Sequence, residues 1–475
     1  MTQGPALRAS RSASLEAKRE GAKTKIFLEG RGEAMSRGKF YHPEIERMSR
    51  KAIRDLQNKR LRWQVQRCLA KSEFYQEKFK KAGIKASHIR NVDDLVHVPV
   101  VTKQELRDEQ VKHPPFGRYT VAPKKDWREL HPSTGTTGTP VNTIWSERDV
   151  ENITEVTART MWSFGVRPGD IIQNGFSYGL WVAGMSTHYA GERIGCFVIP
   201  IGASMTGRQV EYMLNPGSTV LLCTPSFALH IAEYLREKGV SPEQLSLRLG
   251  CFGGEGGTET QATRKKIEVG LGIDAYDYYG LAEIAPTFAS ECTEKAGLHW
   301  AEDHYFVEII NPDTMQRCAD GEMGVLVITH LTREAGPMIR YWTNDYARYE
   351  TARCACGRTH ARSAGGILGR ADDMVIYRGS KFYPVQVEKV VRSYRELGDE
   401  FLIEMTREEK SYADVCTVVC ECLSGDAERA ALEQRLRKDL REELRVTPEI
   451  RIEPFGTLER TTFKAKRILD KRPKS

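Results

Sequence analysis

Ser133-Thr134-Gly135-Thr136-Thr137-Gly138, set between His131-Pro132 and Thr139-Pro140, interleaves hydroxyl donors with glycines, a composition suited to cradling phosphate. Glycine admits positive φ and close backbone approach, so successive N–H groups can converge on an anion. No lysine follows the second glycine, so this is not the GxxxxGK[ST] loop of P-loop NTPases, and no GxGxxG stands here. Taken alone, the segment also fits a Ser/Thr/Gly surface turn. Its companions decide between the two.

Five further segments follow it in order. Gly253-Gly254-Glu255-Gly256-Gly257 comes after a strand-like run, as a backbone platform at a strand's carboxyl end would. Tyr278-Tyr279-Gly280-Leu281-Ala282-Glu283 joins aromatic rings, which can stack on a base, to a carboxylate that can hold a hard cation such as Mg²⁺. Asp345, in Arg340-Tyr341-Trp342-Thr343-Asn344-Asp345, can accept hydrogen bonds from ribose hydroxyls. Gly369-Arg370-Ala371-Asp372-Asp373 joins an arginine to a candidate hinge, and Lys464 brings a cation near the end of the chain. Singly, each has a structural alternative: aromatic core, solvated aspartate, surface ion pair or basic tail.

Cys292 and His299, with Cys354 and Cys356, can form a closed, tetrahedral Cys₃His zinc site. The C-x-C spacing is tighter than the usual zinc knuckle, and free cysteines in a β-rich subdomain are the other reading. The remaining cysteines look ordinary. Cys416, Cys420 and Cys422 sit in the strand-like run Val415 to Leu423, as small buried hydrophobes do.

The elements that must position these residues follow from the patterning. From Pro43 to about Ala82 the apolar spacing is helical. Ile171 to Gly175, Cys196 to Ile201, Val220 to Cys223 and Leu249 to Phe252 read as buried strands, with helices over Ser226 to Lys238 and Glu259 to Leu271. That alternation predicts an α/β fold with a largely parallel sheet. Tyr305 to Ile310 and Val325 to Thr329, around the turn Asn311-Pro312-Asp313, predict a β-rich antiparallel subdomain. The glycine-rich stretch from Gly365 reads as a linker, and a small βαβ-like segment follows it. The expected division is a flexible extension over 1–38, a large domain over 39–371 and a small, mobile α+β C-terminal lid domain over 372–475.

A chain of 475 residues with 40% hydrophobic and 28% charged content fits a globular protein of two or more domains. The net charge of +7 is modest, with no basic motif for nucleic acid. No apolar run is long enough to span a bilayer and no signal-type apolar segment opens the chain, so a cytoplasmic protein with no membrane partner is expected.

In their order, the six nucleotide-type segments resemble the adenylate-forming superfamily, and more specifically the phenylacetate–coenzyme A ligase-like family. The resemblance runs from about Tyr41 to Asp470 and includes Tyr178-Gly179-Leu180-Trp181, His188 to Gly195, and Arg378-Gly379 with Phe382-Tyr383-Pro384. It implies a ligase that uses ATP to turn a carboxylic acid into an acyl-adenylate and passes the acyl group to coenzyme A. By motif, Ser133, Thr134, Gly135, Thr136, Thr137 and Gly138 would hold the triphosphate. Gly254 and Glu255 would lie along the adenine, and Tyr279, within Tyr278-Tyr279-Gly280, would stack on it. Glu283 would bind Mg²⁺, Asp345 the ribose, and Arg370 the ribose or phosphate. Lys464 would bridge the carboxylate and the α-phosphate, and Asp372 would be the hinge on which the small domain turns between half-reactions. Phe176, Tyr178 and Trp181 lie where the family walls an aryl ring, which implies an aromatic acid; core packing is the alternative. A homodimer is admitted. Acceptors other than coenzyme A (an amine, a hydroxyl or a carrier protein) and a catalytically weak nucleotide-binding relative are the competing readings.

Several positions depart from the family's pattern. Thr139 replaces a phosphate-loop lysine, Ala282 a Ser or Thr, Lys381 an Asn, and Trp342 and Asn344 two arginines. These changes remove phosphate-facing groups.

Overall fold

The computed structural model describes residues 38–133, 139–203, 205–408, 413–423, 429–461 and 465–472. The expected N-terminal extension therefore lies almost wholly outside the described residues, as do Thr134 to Gly138 and Lys464.

The helical pattern after Pro43 resolves into α1 (Pro43–Glu46), α2 (Arg50–Lys71) and α3 (Glu73–Lys81). Serine side chains cause the breaks: Ser49 and Ser72 each accept a backbone N–H from the first turn of the helix that follows. α4 (Lys103–Lys112) starts at a capping box between Thr102 and Glu105. The hairpin β1 (Trp127–Pro132) and β2 (Asn142–Ser146) flanks the Ser/Thr/Gly segment.

Next comes the α/β alternation: α5 (Glu147–Phe164), β3 (Ile171–Asn174), α6 (Val182–Ile194), β4 (Phe197–Ile199), α7 (Thr206–Leu214), β5 (Val220–Cys223), α8 (Pro225–Glu237), β6 (Leu249–Phe252), α9 (Gln261–Leu271) and β7 (Asp274–Leu281). Strands β4, β3, β5, β6 and β7 are parallel neighbours in that order. β5 and β6 are buried along their whole length, which explains their unbroken apolar runs. β8 (Ala285–Ser290), β9 (Leu298–Trp300) and, later, Arg362–Ser363 extend the same sheet antiparallel.

β10 (Tyr305–Ile310), β11 (Gly324–His330) and β12 (Tyr341–Ala347) form the expected antiparallel layer. With the Arg362–Ser363 strand taken as β13, its fourth strand is β14 (Gly369–Arg370), which pairs Asp345 with Arg370. The stretch read as a linker thus contains a strand, because backbone pairing to β12 satisfies groups that a free linker would leave to water.

The rest of the chain holds β15 (Val375–Tyr377), β16 (Ser380–Phe382), α10 (Pro384–Val391), β17 (Leu397–Arg407), β18 (Asp414–Cys422), α11 (Arg429–Leu444), β19 (Glu449–Pro454) and β20 (Ile468–Asp470). Its sheet runs β19-β18-β17-β20, with an antiparallel centre and parallel flanks, so it is richer in strand than a single βαβ unit. It closes a core of its own from Val375 to Ile452, including Cys416, Cys420 and Cys422. The chain is a mixed α/β protein with a large N-terminal and a smaller C-terminal domain. No helix among the described residues is long and apolar enough to cross a membrane.

Candidate nucleotide and acid site

β3 leads to β4 on one side while β5 leads to β6 on the other, so a crevice opens beyond the carboxyl ends of β3 and β5. Phe176 and Trp181, on the loop after β3, meet edge to face with ring centroids 5.3 Å apart. Phe176 also meets Tyr278 of β7 edge to face at 6.0 Å. Gly254 tops β6 at φ +88°, and a Cβ there would fall 2.9 Å from the Trp181 ring. The glycine lets the indole lie against the platform. Phe176 has no exposed surface and supports this wall from behind, whereas Tyr178 and Trp181 are half-buried. The Tyr178 hydroxyl accepts from Asn174 Nδ2 at 2.8 Å and lies 3.0 Å from His188 Nδ1.

The Glu255 carboxylate accepts the Ser226 N–H at 2.9 Å, the Ser226 hydroxyl, and the Ala465 N–H at 2.6 Å. It thus joins the first turn of α8 to the residue that follows Lys464 in the chain.

The turn from Tyr278 to Glu283 carries the next groups. Gly280 is required by packing, since a Cβ would fall 1.9 Å from the Pro286 carbonyl oxygen. The Tyr279 hydroxyl donates to Asp345 Oδ2, and Arg370 Nε lies 3.3 Å from Asp345 Oδ1. Burial and the Asp345 carboxylate push the Tyr279 phenol well up, so it stays a donor. Alternation along β12 buries Tyr341, Thr343 and Asp345 on one face. Tyr279, Asp345 and Arg370 are therefore brought together as one cluster.

Glu283 is buried, with Oε1 2.8 Å from the Lys103 ammonium. Burial and the Glu283 and Asp345 carboxylates raise the Tyr341 phenol, which hydrogen-bonds Glu283. Arg107, one turn after Lys103 on α4, donates from Nε to the Thr139 carbonyl at 3.0 Å. Lys103 and Arg107 of α4 and Tyr341 of β12 are residues of this candidate site to which sequence reasoning gave no role; the Thr102–Glu105 capping box is the signal that could have marked α4. Ser133 and Val141 exchange two hydrogen bonds, of 2.7 and 2.9 Å, that close the base of the Ser/Thr/Gly segment. Two of the departures satisfy each other: Trp342 Nε1 donates to Asn344 Oδ1 at 2.7 Å.

The Cys₃His quartet gathers as expected. Cys292 Sγ lies 3.7 Å from Cys354 Sγ, and Cys356 Sγ lies 3.5 Å from His299 Nε2. All four ligand atoms fall within 4.8 Å of one another. A tetrahedron with Zn–S of about 2.3 Å and Zn–N of about 2.0 Å has edges of about 3.8 and about 3.5 Å, so the set fits that ion. His299 Nδ1 faces the His360 carbonyl at 3.1 Å, which directs Nε2 at the sulfurs. A hydrogen bond from the Cys292 thiol and the nearby His299 outweigh burial and pull the Cys356 thiol well down, while the same hydrogen bond pushes the Cys292 thiol well up, so a metal here would displace the Cys292 proton.

The backbone of Asp372 lies in the short 3₁₀ turn Ala371–Asp373, at the passage from β14 to the small domain. Several described contacts hold that domain against the large one, among them Arg392 Nη1 donating to Thr263 Oγ1 at 2.9 Å and the Tyr346 and Tyr383 rings meeting edge to face. Thr263 Oγ1 donates to Glu388 Oε1 at 2.9 Å, and Lys266 pairs with Asp399 at 2.7 Å. Arg460 pairs with Glu233 at 3.1 Å, and Glu255 accepts from Ala465.

Residues 53–342 match the AMP-binding enzyme family and residues 379–472 the AMP-binding enzyme C-terminal domain. Phenylacetate–coenzyme A ligase of Thermus thermophilus is 37% identical over 451 residues, covering 91% of this chain and 100% of that protein. Among solved structures, 2-hydroxyisobutyryl-CoA ligase in the postadenylation state, in complex with 2-HIB-AMP, superposes with a TM-score of 0.86 at 28% identity, covering 91% of this chain and 92% of that one. With 2-HIB-AMP and CoA, in its thioesterification state, the same ligase gives a TM-score of 0.70 at 29% identity over 92% of this chain and 93% of that one.

Proposed function

We propose, for a chain that belongs to the phenylacetate–coenzyme A ligase family of AMP-binding enzymes and is an AMP-forming acid–CoA ligase, that the acid it activates is aromatic. The observation that carries this reading is the seating of the Trp181 indole on Gly254, with Phe176 behind it and Tyr178 beside it. A flat apolar ring gains most from such a wall, because aromatic faces pack edge to face or offset at little entropic cost.

In this reading the acid lies in the crevice beside Trp181, with its carboxylate toward the Ser133 to Gly138 segment. ATP lies along Gly254, Tyr279 and Asp345. Asp345 already faces two donors, so it is a fixed carboxylate for ribose hydroxyls, and Arg370 sits where it can reach ribose or phosphate. Attack of the carboxylate on the α-phosphorus forms the acyl–phosphate bond and expels pyrophosphate; the CoA thiol then displaces AMP. Two anions must meet in the first step, so positive charge aimed at the phosphates lowers the barrier. Lys464 supplies it at the α-phosphate, and Lys103 supplies it where the loop lysine is replaced by Thr139.

Mg²⁺ is proposed at Glu283, whose Oε1 is buried with no aligned hydrogen bond beyond the Lys103 contact; when bound, the ion offsets phosphate charge. A structural zinc is proposed at Cys292, His299, Cys354 and Cys356. The protein is read as cytoplasmic and is compatible with a homodimer.

A second reading is a short hydroxy acid, favoured by the likeness to 2-hydroxyisobutyryl-CoA ligase. CoA-dependent AMP formation, measured over phenylacetate, substituted benzoates and 2-hydroxyisobutyrate, separates the two. Turnover with 2-hydroxyisobutyrate exceeding every aromatic acid would overturn the first.

A further inference from the structure

Arg460 is held in a fixed posture by its own domain. Its guanidinium lies over the Phe455 ring at 4.7 Å, pairs with Glu421 at 2.8 Å and donates to the Leu458 carbonyl at 3.0 Å. Glu421 has no exposed side-chain surface, so this part of the pairing belongs to the interior of the small domain. The remaining edge of the guanidinium, Nε and Nη2, points at Glu233 of α8 in the large domain, with both contacts at 3.1 Å. That is the side-on, two-bond geometry in which arginine recognises a carboxylate most selectively.

Around this pair the seam is loosely packed. A cleft of about 280 Å³ runs beside it, lined by His230, Glu233, Tyr234 and Glu237 on one side and Phe455 and Arg460 on the other. Beside this cleft, parting the two surfaces rehydrates two charges and tears no apolar core, so this stretch of the seam contributes little beyond the pair itself. A contact of that kind biases a two-state equilibrium without locking it.

Its position in the chain matters. Arg460 and Ala465 bracket Thr461 to Lys464, and both are tied to the large domain, Arg460 through Glu233 and Ala465 through Glu255. These ties occur in a domain arrangement that matches the postadenylation state of a relative more closely than its thioesterification state.

We propose that Glu233 is a positioning residue for the first half-reaction: by clasping the preset Arg460 it favours the domain arrangement that forms the acyl-adenylate, and it must release before the thioester forms. The proposal rests on the two-step reading above. Glu233 touches no substrate in it; the effect passes through Arg460 to the seating of the small domain on the large one.

The test uses the full chain with Glu233→Ala, Glu233→Asp and wild type. Phenylacetate-dependent pyrophosphate release without CoA should fall about tenfold in Glu233→Ala, the size of one lost charge-assisted pair. Thioester formation from supplied phenylacetyl-adenylate and CoA should be unchanged, and Glu233→Asp should recover part of the first rate. Hydrogen–deuterium exchange gives a readout independent of turnover: amides of residues 465–472 should exchange faster in Glu233→Ala, while β17 and β18 keep their protection. Unchanged exchange at 465–472, or equal loss in both half-reactions, overturns the proposal. If wild type releases no pyrophosphate with any aromatic acid, the aromatic reading fails, and the exchange comparison still decides the clasp.

Discussion

The Lys103 ammonium stands 2.8 Å from Glu283 Oε1, joining the first residue of α4 to the turn after β7. Two groups far apart in the chain thus share one charge site, and any cation drawn to Glu283 must share it with Lys103.

Lys103→Met removes the cation paired with Glu283, which in the proposed reading faces the phosphates and competes with Mg²⁺ for that carboxylate. Adenylation is expected to slow about tenfold, one charge-assisted contact's worth, while half-saturation by Mg²⁺ shifts to lower concentration. Pyrophosphate release across a Mg²⁺ titration measures both; an unchanged Mg²⁺ dependence would show that Lys103 and the metal do not share the site.

Lys464→Ala is expected to lower acyl-adenylate formation on the order of 10²-fold or more, following the precedent for a lost oxyanion donor. Thioester formation from supplied adenylate should survive. Single-turnover assays of each half-reaction give the comparison, and a larger loss in the second half-reaction would remove Lys464 from its assigned role.

Asp372→Pro fixes φ in the Ala371–Asp373 turn and so restricts rotation about it. Adenylate should still form while thioester formation is blocked. Equal loss of both steps would move the hinge elsewhere.

Zinc at the quartet would be folding energy as well as structure, because the four ligand atoms are gathered only in the folded chain. Protein purified without chelators should carry stoichiometric zinc by atomic emission, and Cys356→Ser should lose it along with several degrees of Tm. Metal-free protein with wild-type Tm would leave the quartet as plain packing.

Glu259 supplies a pH signature. Burial, then the Glu388 carboxylate across the domain seam, raises its pKa from 4.5 to about 7. Asp277 also faces it and is raised too, while Arg392 and the Gly257 N–H act in the opposite direction. A raised acid holds its proton in the folded chain where the unfolded chain has lost it. Its contribution is therefore favourable at pH 4.5 and is lost as pH climbs to about 7. Urea midpoints at pH 5 and 8 should differ less in Glu259→Gln than in wild type; the same difference in both proteins would exclude Glu259 as the source.

Much of the architecture was legible because it rests on local pattern. Apolar runs at Val220 to Cys223 and Leu249 to Phe252 demand strands covered on both faces, and they are buried throughout. Gly254 and Gly280 could be marked as special because glycine alone fits such close approaches. The strand at Gly369–Arg370 was not legible: two residues carry no periodicity, and only the free edge of β12 defines them. Lys103 and Arg107 were missed for a related reason, since their partners, Glu283 and Thr139, lie on other elements.

By itself, then, the sequence determined the family, the order of nucleotide-type segments and the α/β alternation, because each depends on residue types at short spacing. The tertiary structure alone decided which charges meet: Lys103 with Glu283, Tyr279 and Arg370 with Asp345, Arg460 with Glu233, and the four metal-type ligands with one another. Those meetings depend on strand order and domain placement, which bring distant residues within a few ångströms and leave no trace in local spacing.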